Sequence, residues 1–120
     1  MARILAATVL LMGLVAGCAT MQRSQDMQLV TDGFGKIEQQ DWAGAEADLS
    51  RALELNPSNA YAQLNLGVVY QSTGRYALAR QMYDKVIGAH AQETAAKSTD
   101  PALQGKSLVE IARQNIELLP

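Results

Sequence analysis

The 120-residue sequence contains few of the residues from which catalytic and metal sites are built, with one cysteine and one histidine. The single cysteine, Cys18, has no partner for a disulfide within the chain. The single histidine, His90, has no cysteine near it, and Glu93 alone does not complete a metal site. No glycine-rich phosphate loop is present, because Gly33-Phe34-Gly35 is too short to form one. We therefore expect no enzyme, no metal and no cofactor, since no acid, base and nucleophile converge.

Charge is sparse and nearly balanced, with ten lysine and arginine residues against twelve aspartate and glutamate residues. The formal net charge is −2, and no basic patch is present, so nucleic acid is not an expected partner. Only one long apolar run occurs, over residues 4–17. It is shorter than the roughly 20 residues that a membrane-spanning helix needs. No second such run follows, so no other segment is predicted to span a membrane.

The apolar run has the layout of a secretory signal peptide. Arg3 precedes it, and the small residues Ala16 and Gly17 close it just before Cys18. The stretch Val15-Ala16-Gly17-Cys18 resembles the lipobox of bacterial lipoproteins. The resemblance implies cleavage after residue 17, a diacylglyceryl group on the Cys18 thiol, and a fatty acyl chain such as palmitate on its freed amine. The alternative is an ordinary signal peptide that happens to end in a cysteine.

The residue after the cysteine bears on the destination of such a lipoprotein. In enteric-type members of that family, an aspartate there retains the protein in the inner membrane, and this chain has Ala19. The resemblance therefore implies a lipid anchor in the outer membrane, facing the periplasm. Two or three acyl chains would hold the protein firmly, because each buried methylene contributes about 0.8 kcal/mol.

After a polar stretch over residues 18–25, which we interpret as a lipidated tether, the chain has the composition of helices and no alternating strand pattern. It repeats with a period of 34 residues. Gly33 pairs with Gly67, and nearly all of six further pairs match in size and polarity: Trp42 with Tyr76, Ala43 with Ala77, Ala45 with Ala79, Leu49 with Tyr83, Ala52 with Val86 and Leu53 with Ile87. The period predicts two copies of one helix–turn–helix unit over residues 26–93.

The second copy, YAQLNLGVVYQSTGRYALARQMYDKVI, resembles a tetratricopeptide repeat (TPR), which is a helix–turn–helix unit of 34 residues. The matching positions are Leu66, Gly67 and Tyr70 on the first helix (helix A), Gly74 at the turn, Tyr76, Ala79 and Tyr83 on the second helix (helix B), and Pro57 ahead of the repeat. The resemblance implies an all-α fold, a short α-solenoid of two repeats. Glycine inside a helix costs about 1 kcal/mol relative to alanine, so we expect Gly67 to face a close helix, with Ala79 opposite.

The first copy leaves its register open. At strict 34-residue spacing, Asp32 and Lys36 fall where leucine and tyrosine are expected. A shift by one residue, with a shorter turn, would instead bury Val30, Phe34 and Ile37. Helix B of this copy is predicted over residues 42–55, with Asp41 as its N-cap.

The C-terminal part divides into a polar loop over residues 94–106 and a final helix over residues 107–120. That helix places its apolar residues on one face: Leu108, Ile111, Ala112, Ile116 and Leu119. Repeat arrays need end caps, because the last helix pair otherwise exposes apolar surface. We interpret the final helix as this capping helix.

The TPR resemblance also implies a binding surface, since helix A residues line the concave face that holds a peptide in that family. Carried over to this chain, these positions are Phe34 in the first copy and Tyr61, Leu64, Asn65 and Val68 in the second. An apolar groove with one amide suits an apolar or amphipathic segment of a protein partner. Alternatively, these residues pack beneath the tether, the C-terminal helix or a second copy of the chain.

We therefore expect a membrane-anchored adaptor or scaffold that binds a protein partner in the bacterial envelope. It resembles lipoproteins that assist secretin, pilus or cell-wall machinery, an inference from fold and anchor alone. The alternative is a structural lipoprotein that forms homodimers and has no separate peptide ligand.

Overall fold

A computed structural model describes residues 25–89 and 104–120. The predicted signal peptide, Cys18, His90 and most of the predicted loop over residues 94–106 lie outside these ranges. The helices are α1 over residues 25–38, α2 (Trp42–Leu55), α3 (Ala60–Ser72), α4 (Tyr76–Gly88) and α5 (Leu108–Glu117). The described residues contain no strand, and consecutive helices pack in pairs, which confirms the all-α solenoid. None of the helices in these ranges is long and apolar enough to cross a bilayer.

Buried glycines set the distance between helix A and helix B in both repeats. A Cβ atom on Gly33 would lie 2.8 Å from Leu49 Cγ, and one on Gly67 would lie 2.8 Å from Tyr83 Cδ1. Leu49 and Tyr83 are themselves equivalent positions of the 34-residue period. The nearest side chain to Gly67 is thus Tyr83 and not the expected Ala79, although Ala79 is fully buried as well.

The first repeat therefore follows the strict 34-residue register in its buried glycine and in its turn. The shifted register is wrong in its shorter turn and in the burial of Phe34, whereas Val30 is buried as it predicted and Ile37 packs partly buried against the core. Gly33 takes the buried position of α1, while Phe34 stays half-exposed. Asp32 and Lys36 are accommodated at these positions because each has a polar partner. Asp32 accepts a hydrogen bond from Gln28 at 3.0 Å, and Lys36 pairs with Asp48 at 2.6 Å.

The two helix A–helix B turns have the same hydrogen bonds. The amide of Asp41 donates to the carbonyl of Lys36, and the amide of Arg75 donates to the carbonyl of Tyr70, at 2.9 and 2.8 Å. This bond across six residues is the mark of a Schellman motif, which requires a left-handed residue just before the donor. Gly74 meets that requirement with φ +78°, and Gln40 occupies the equivalent position with φ 58°.

Two apolar clusters form the core, and equivalent residues of α2 and α4 lie fully buried at their centres. Ala45, Leu49 and Ala52 of α2 pack with α1 and α3, while Ala79, Tyr83 and Val86 of α4 pack with α3 and α5. The α5 side chains in the second cluster are Leu108, Ile111 and Ala112. Helix α5 thus packs against the last repeat, where the capping helix was expected.

Candidate protein-binding face

The side of α1 and α3 proposed to bind a partner carries a row of partly exposed residues. Tyr61, Asn65 and Val68 follow one another along α3 at spacings of four and three, so they share one side of the helix. All three are half-buried, as is Phe34 of α1, which is equivalent to Val68 at the 34-residue spacing. We call these four residues the helix-A face. Met27 of α1, 43% exposed, adds a further accessible apolar side chain.

Leu64 does not belong to the accessible surface. Its side chain is 6% exposed and lies in the apolar cluster that includes Leu108 and Ile111 of α5. Of the five predicted groove residues, the structure therefore brings four to the surface and buries the fifth beneath the C-terminal helix. The cause is the position of α5, which packs on α4 and also reaches α3.

Two tyrosines of α3 connect the helix-A face to the core. Tyr61 and Tyr70 each pack against both apolar clusters, so the face rests on an ordered support. Asn65 stands between Tyr61 and Val68 and brings an amide into an otherwise apolar row. An amide carries two donors and an acceptor, so Asn65 can bind the backbone of an extended or helical segment.

Gln71 continues along α3 beyond Val68, and its side chain is already used. The hydroxyl of Tyr83 donates a hydrogen bond of 2.7 Å to Gln71 Oε1. Burial raises the pKa of Tyr83 to about 12, against an opposing hydrogen bond with Asn115 of α5. This buried hydroxyl joins α3, α4 and α5 and stays protonated at every physiological pH.

An ion pair that the sequence analysis did not identify ties α2 to the turn before α4. Arg75 Nη1 and Nη2 donate to the two carboxylate oxygens of Glu46 at 3.0 and 2.6 Å, and the guanidinium lies 4.7 Å from the centre of the Tyr70 ring. The hydrogen bonds from Arg75 lower the pKa of Glu46, against a desolvation that acts to raise it. The residues are 29 positions apart, so no local pattern indicates the pair.

A second unpredicted contact lies at the start of α1. Asp26 is 1% exposed, and its Oδ2 accepts hydrogen bonds from the side-chain amides of Asn56 and Asn59 at 2.8 and 3.0 Å. Burial acts to raise the pKa of Asp26, but the bonds from Asn59, Asn56 and the Met27 amide outweigh it and hold the pKa below its ordinary value. Asn59 also caps α3 by accepting from the Ala62 amide. The cap was predictable from sequence, whereas its link to α1 was not.

The outer side of α1 and α2 forms an open polar cleft. Its charged lining residues are Asp32, Lys36, Asp41 and Asp48. Asp41 caps α2 by accepting from the Gly44 amide, and Asp48 pairs with Lys36, so the carboxylates have structural partners. Within residues 25–89 and 104–120, no three histidine, cysteine or acidic side chains are grouped to hold a metal ion.

Comparison with known proteins bears on the repeat unit. Residues 36–94 match a family model described as tetratricopeptide repeat. Comparisons with curated proteins and with solved structures gave no match. Tetratricopeptide repeats are in general non-enzymatic modules that mediate protein–protein interaction.

Proposed function

Because the chain is a tetratricopeptide repeat protein, we propose that it acts as a membrane-anchored adaptor that holds a protein partner in the bacterial envelope. The repeats supply the protein-interaction surface, and a lipid on Cys18 supplies the anchor. The outer membrane, with the repeats facing the periplasm, is the proposed location. Assembly of a secretin, a pilus or the cell-wall machinery is the kind of process in which such an adaptor would serve.

One observation carries the binding proposal: the helix-A face remains partly accessible along α1 and α3, with the exposed Met27 on the same helices. Phe34 and Val68 occupy equivalent positions of consecutive repeats, so an elongated ligand can meet both. Exposed apolar residues grouped in a row are typical of interaction sites. The expected ligand is an apolar or amphipathic segment whose backbone hydrogen-bonds to Asn65.

The composition of the face argues against one class of ligand. None of Phe34, Tyr61, Asn65 and Val68 is basic, so these four residues offer no cation to clamp a C-terminal carboxylate. The partner segment therefore need not lie at a chain terminus. An internal segment with two or three apolar residues would satisfy the face.

The anchor proposal is supported by the resemblance of residues 15–18 to a lipobox and by the short distance from Cys18 to α1. Seven positions separate Cys18 from residue 25, the first described residue of α1. A chain of that length spans at most about 25 Å, at up to about 3.6 Å per residue. The repeats would then work close to the membrane surface, within reach of membrane-embedded machinery.

The experiment that tests the binding proposal places a photo-crosslinking amino acid at Val68 in the full-length protein in intact cells. A matched probe at the exposed Gln81 of α4 serves as the control, since it lies on helix B. We expect one distinct protein to be captured from Val68 and not from Gln81. Capture of the same species from both positions, or of the chain's own copies alone from Val68, contradicts the adaptor.

A further inference from the structure

Helix α5 occupies the place at which a third repeat would add its helix A. It packs against α4 as α3 packs against α2. The two attachments differ in the length of the connecting chain. Residues 56–59 join α2 to α3, whereas residues 89–107 separate α4 from α5. Connections between packed helices are commonly about 2–8 residues long, so α5 is joined to its neighbour by more chain than packing requires.

Among residues 25–89, the surface under α5 is formed by α3 and α4. We call it the α5 seat: Ala60, Leu64, Ala79, Tyr83 and Val86. Tyr83 is fixed within this pair, because its ring packs against Gly67 and its hydroxyl donates to Gln71. The seat is therefore set by contacts that do not involve α5, apart from the contact between Tyr83 and Asn115.

The α5 residues that are buried in the seat indicate which side chains the seat can bind. Leu108, Ile111 and Ala112 are buried in it, and Asn115 meets the Tyr83 hydroxyl. These residues follow the order i, i+3, i+4 and i+7, which is one side of a helix. The ligand chemistry is thus two branched apolar residues, one small residue and one amide along a helix of about three turns.

The attachment of α5 is confined to one side of the helix. Leu108, Ile111 and Ala112 are buried and Ile116 and Leu119 pack against them partly buried, while Leu118, immediately after the helix, is 72% exposed. Its N-terminus depends on a capping box in which Ser107 Oγ accepts from the Glu110 amide and Glu110 Oε2 accepts from the Ser107 amide, at 3.2 and 2.8 Å. Neither side chain lies in the seat.

We propose that the α5 seat is a second protein-binding site, that its external ligand is an amphipathic helix of a partner protein with the α5 spacing, and that α5 competes for it within the chain. This inference rests on the proposed protein-binding function and names the partner segment in chemical terms. Docking of such a helix extends the solenoid by one helix. The helix-A face and the α5 seat then bind different parts of the partner.

The test uses a fluorescent synthetic peptide of residues 104–120 as the probe. It is titrated by anisotropy into the chain of residues 18–120 carrying Cys18→Ser, and into the same chain with Ser107→Ala and Glu110→Ala. The double variant weakens the helix of α5 without changing the seat. We expect it to bind the peptide about five- to tenfold more tightly, because a larger fraction of molecules has the seat open.

A matched control peptide carries Ile111→Asp and is expected to bind neither protein, because a carboxylate cannot enter the apolar seat. Equal binding of the peptide by the two proteins, no binding at all, or equal binding of the control peptide overturns the proposal. Crosslinking from Val68 in cells tests the helix-A face and does not depend on the α5 seat. A partner can therefore be captured there, in support of the proposed function, even if the peptide test overturns the proposal about the seat.

If the double variant does not fold, a second measurement tests whether α5 leaves the seat while α3 and α4 stay folded. Amide hydrogen exchange on the unaltered chain compares α5 with α3 and α4. We expect the amides of residues 112–117 to exchange faster than those of residues 64–70, because release of α5 leaves the α3–α4 pair folded. Exchange of both groups at one common rate means that α5 leaves only when the whole domain unfolds, and this overturns the proposal.

Discussion

Gly67 packs directly against Tyr83 of α4 and leaves no room for a larger residue. A Cβ there meets Tyr83, which is fully buried and bonded to Gln71, so the ring cannot retreat. Gly67→Ala should lower the free energy of unfolding by about 1–3 kcal/mol through overpacking. Gly35→Ala is the matched control, because a Cβ at Gly35 meets nothing within 4 Å.

The control should move stability in the opposite direction. Alanine is favoured over glycine inside a helix by about 1 kcal/mol, so Gly35→Ala is expected to stabilise the protein. Urea denaturation followed by circular dichroism measures both changes. If both variants lose or both gain stability, close packing at Gly67 is not what constrains that position.

At Gln40, a residue with a side chain occupies a backbone conformation that favours glycine. Its φ of 58° lies in the left-handed region, which costs residues with a Cβ roughly 1–2 kcal/mol. Gln40→Gly should therefore stabilise the protein by about 0.5–1 kcal/mol, since the greater entropy of unfolded glycine offsets part of the gain. The thermal unfolding midpoint reports the change.

Gly74 provides the comparison, because it has the same role in the second repeat and open space around it. Gly74→Ala should destabilise the protein by about 1 kcal/mol through backbone strain alone. A gain of stability in that variant would show that the left-handed turn is not required.

Between elements, Asp26 makes a polar contact with residues 30 and 33 positions away in the sequence. It connects α1 to the α2–α3 turn through Asn56 and to the cap of α3 through Asn59. Because the folded-state pKa of Asp26 is lower than the ordinary value of 3.8, its contribution is present above that pH. The contribution is lost as the pH falls through the lower, folded-state pKa.

Asp26→Asn tests this linkage. At neutral pH the variant should be less stable by about 1–3 kcal/mol, since the two asparagine amides lose a charged acceptor. The difference from the unaltered protein should begin to shrink as the pH falls below about 3.8, where Asp26 of the unfolded chain becomes protonated, and should be lost as the pH falls through the lower, folded-state pKa. Urea titrations at several pH values measure it, and a difference that is constant with pH would contradict the role of the charge.

Local patterns predicted individual elements well and their long-range contacts poorly. The bounds of α2 and its Asp41 cap follow from residues within a few positions of one another. The burial of Leu64 depends on where α5 packs after a connection of 19 residues, which no spacing within α3 reveals. The contacts of Asp26 and of Glu46 with Arg75 join residues about 30 positions apart and were missed for the same reason.

At the scale of the whole molecule, the proposed lipid anchor would determine where the repeats can act. Cys18→Ser should move the protein from the membrane fraction to the soluble periplasmic fraction, because the proposed acyl chains on Cys18 would be lost. Its helix content should not change, since Cys18 lies seven positions before residue 25, the first described residue of α1. Fractionation of cells expressing the full-length chain, with circular dichroism of the purified protein, measures both.

A second variant tests the proposed membrane location separately from lipidation. In an enteric host, Ala19→Asp should leave the protein membrane-bound and move it from the outer to the inner membrane. Retention of the Cys18→Ser variant in the membrane fraction would contradict lipidation at Cys18. An unchanged distribution of Ala19→Asp, with Cys18 lipidated, would contradict only the proposed outer-membrane sorting.

The surface of α4 that packs against α5 also indicates how such a protein could gain further repeats. Ala79, Tyr83 and Val86 present to α5 what Ala45, Leu49 and Ala52 present to α3, and all six are fully buried. A duplicated 34-residue unit inserted after Ala89 would therefore meet a surface ready for its first helix, and its own second helix would offer α5 the same surface again. Gene duplication can extend this architecture in whole units while leaving the existing interior untouched.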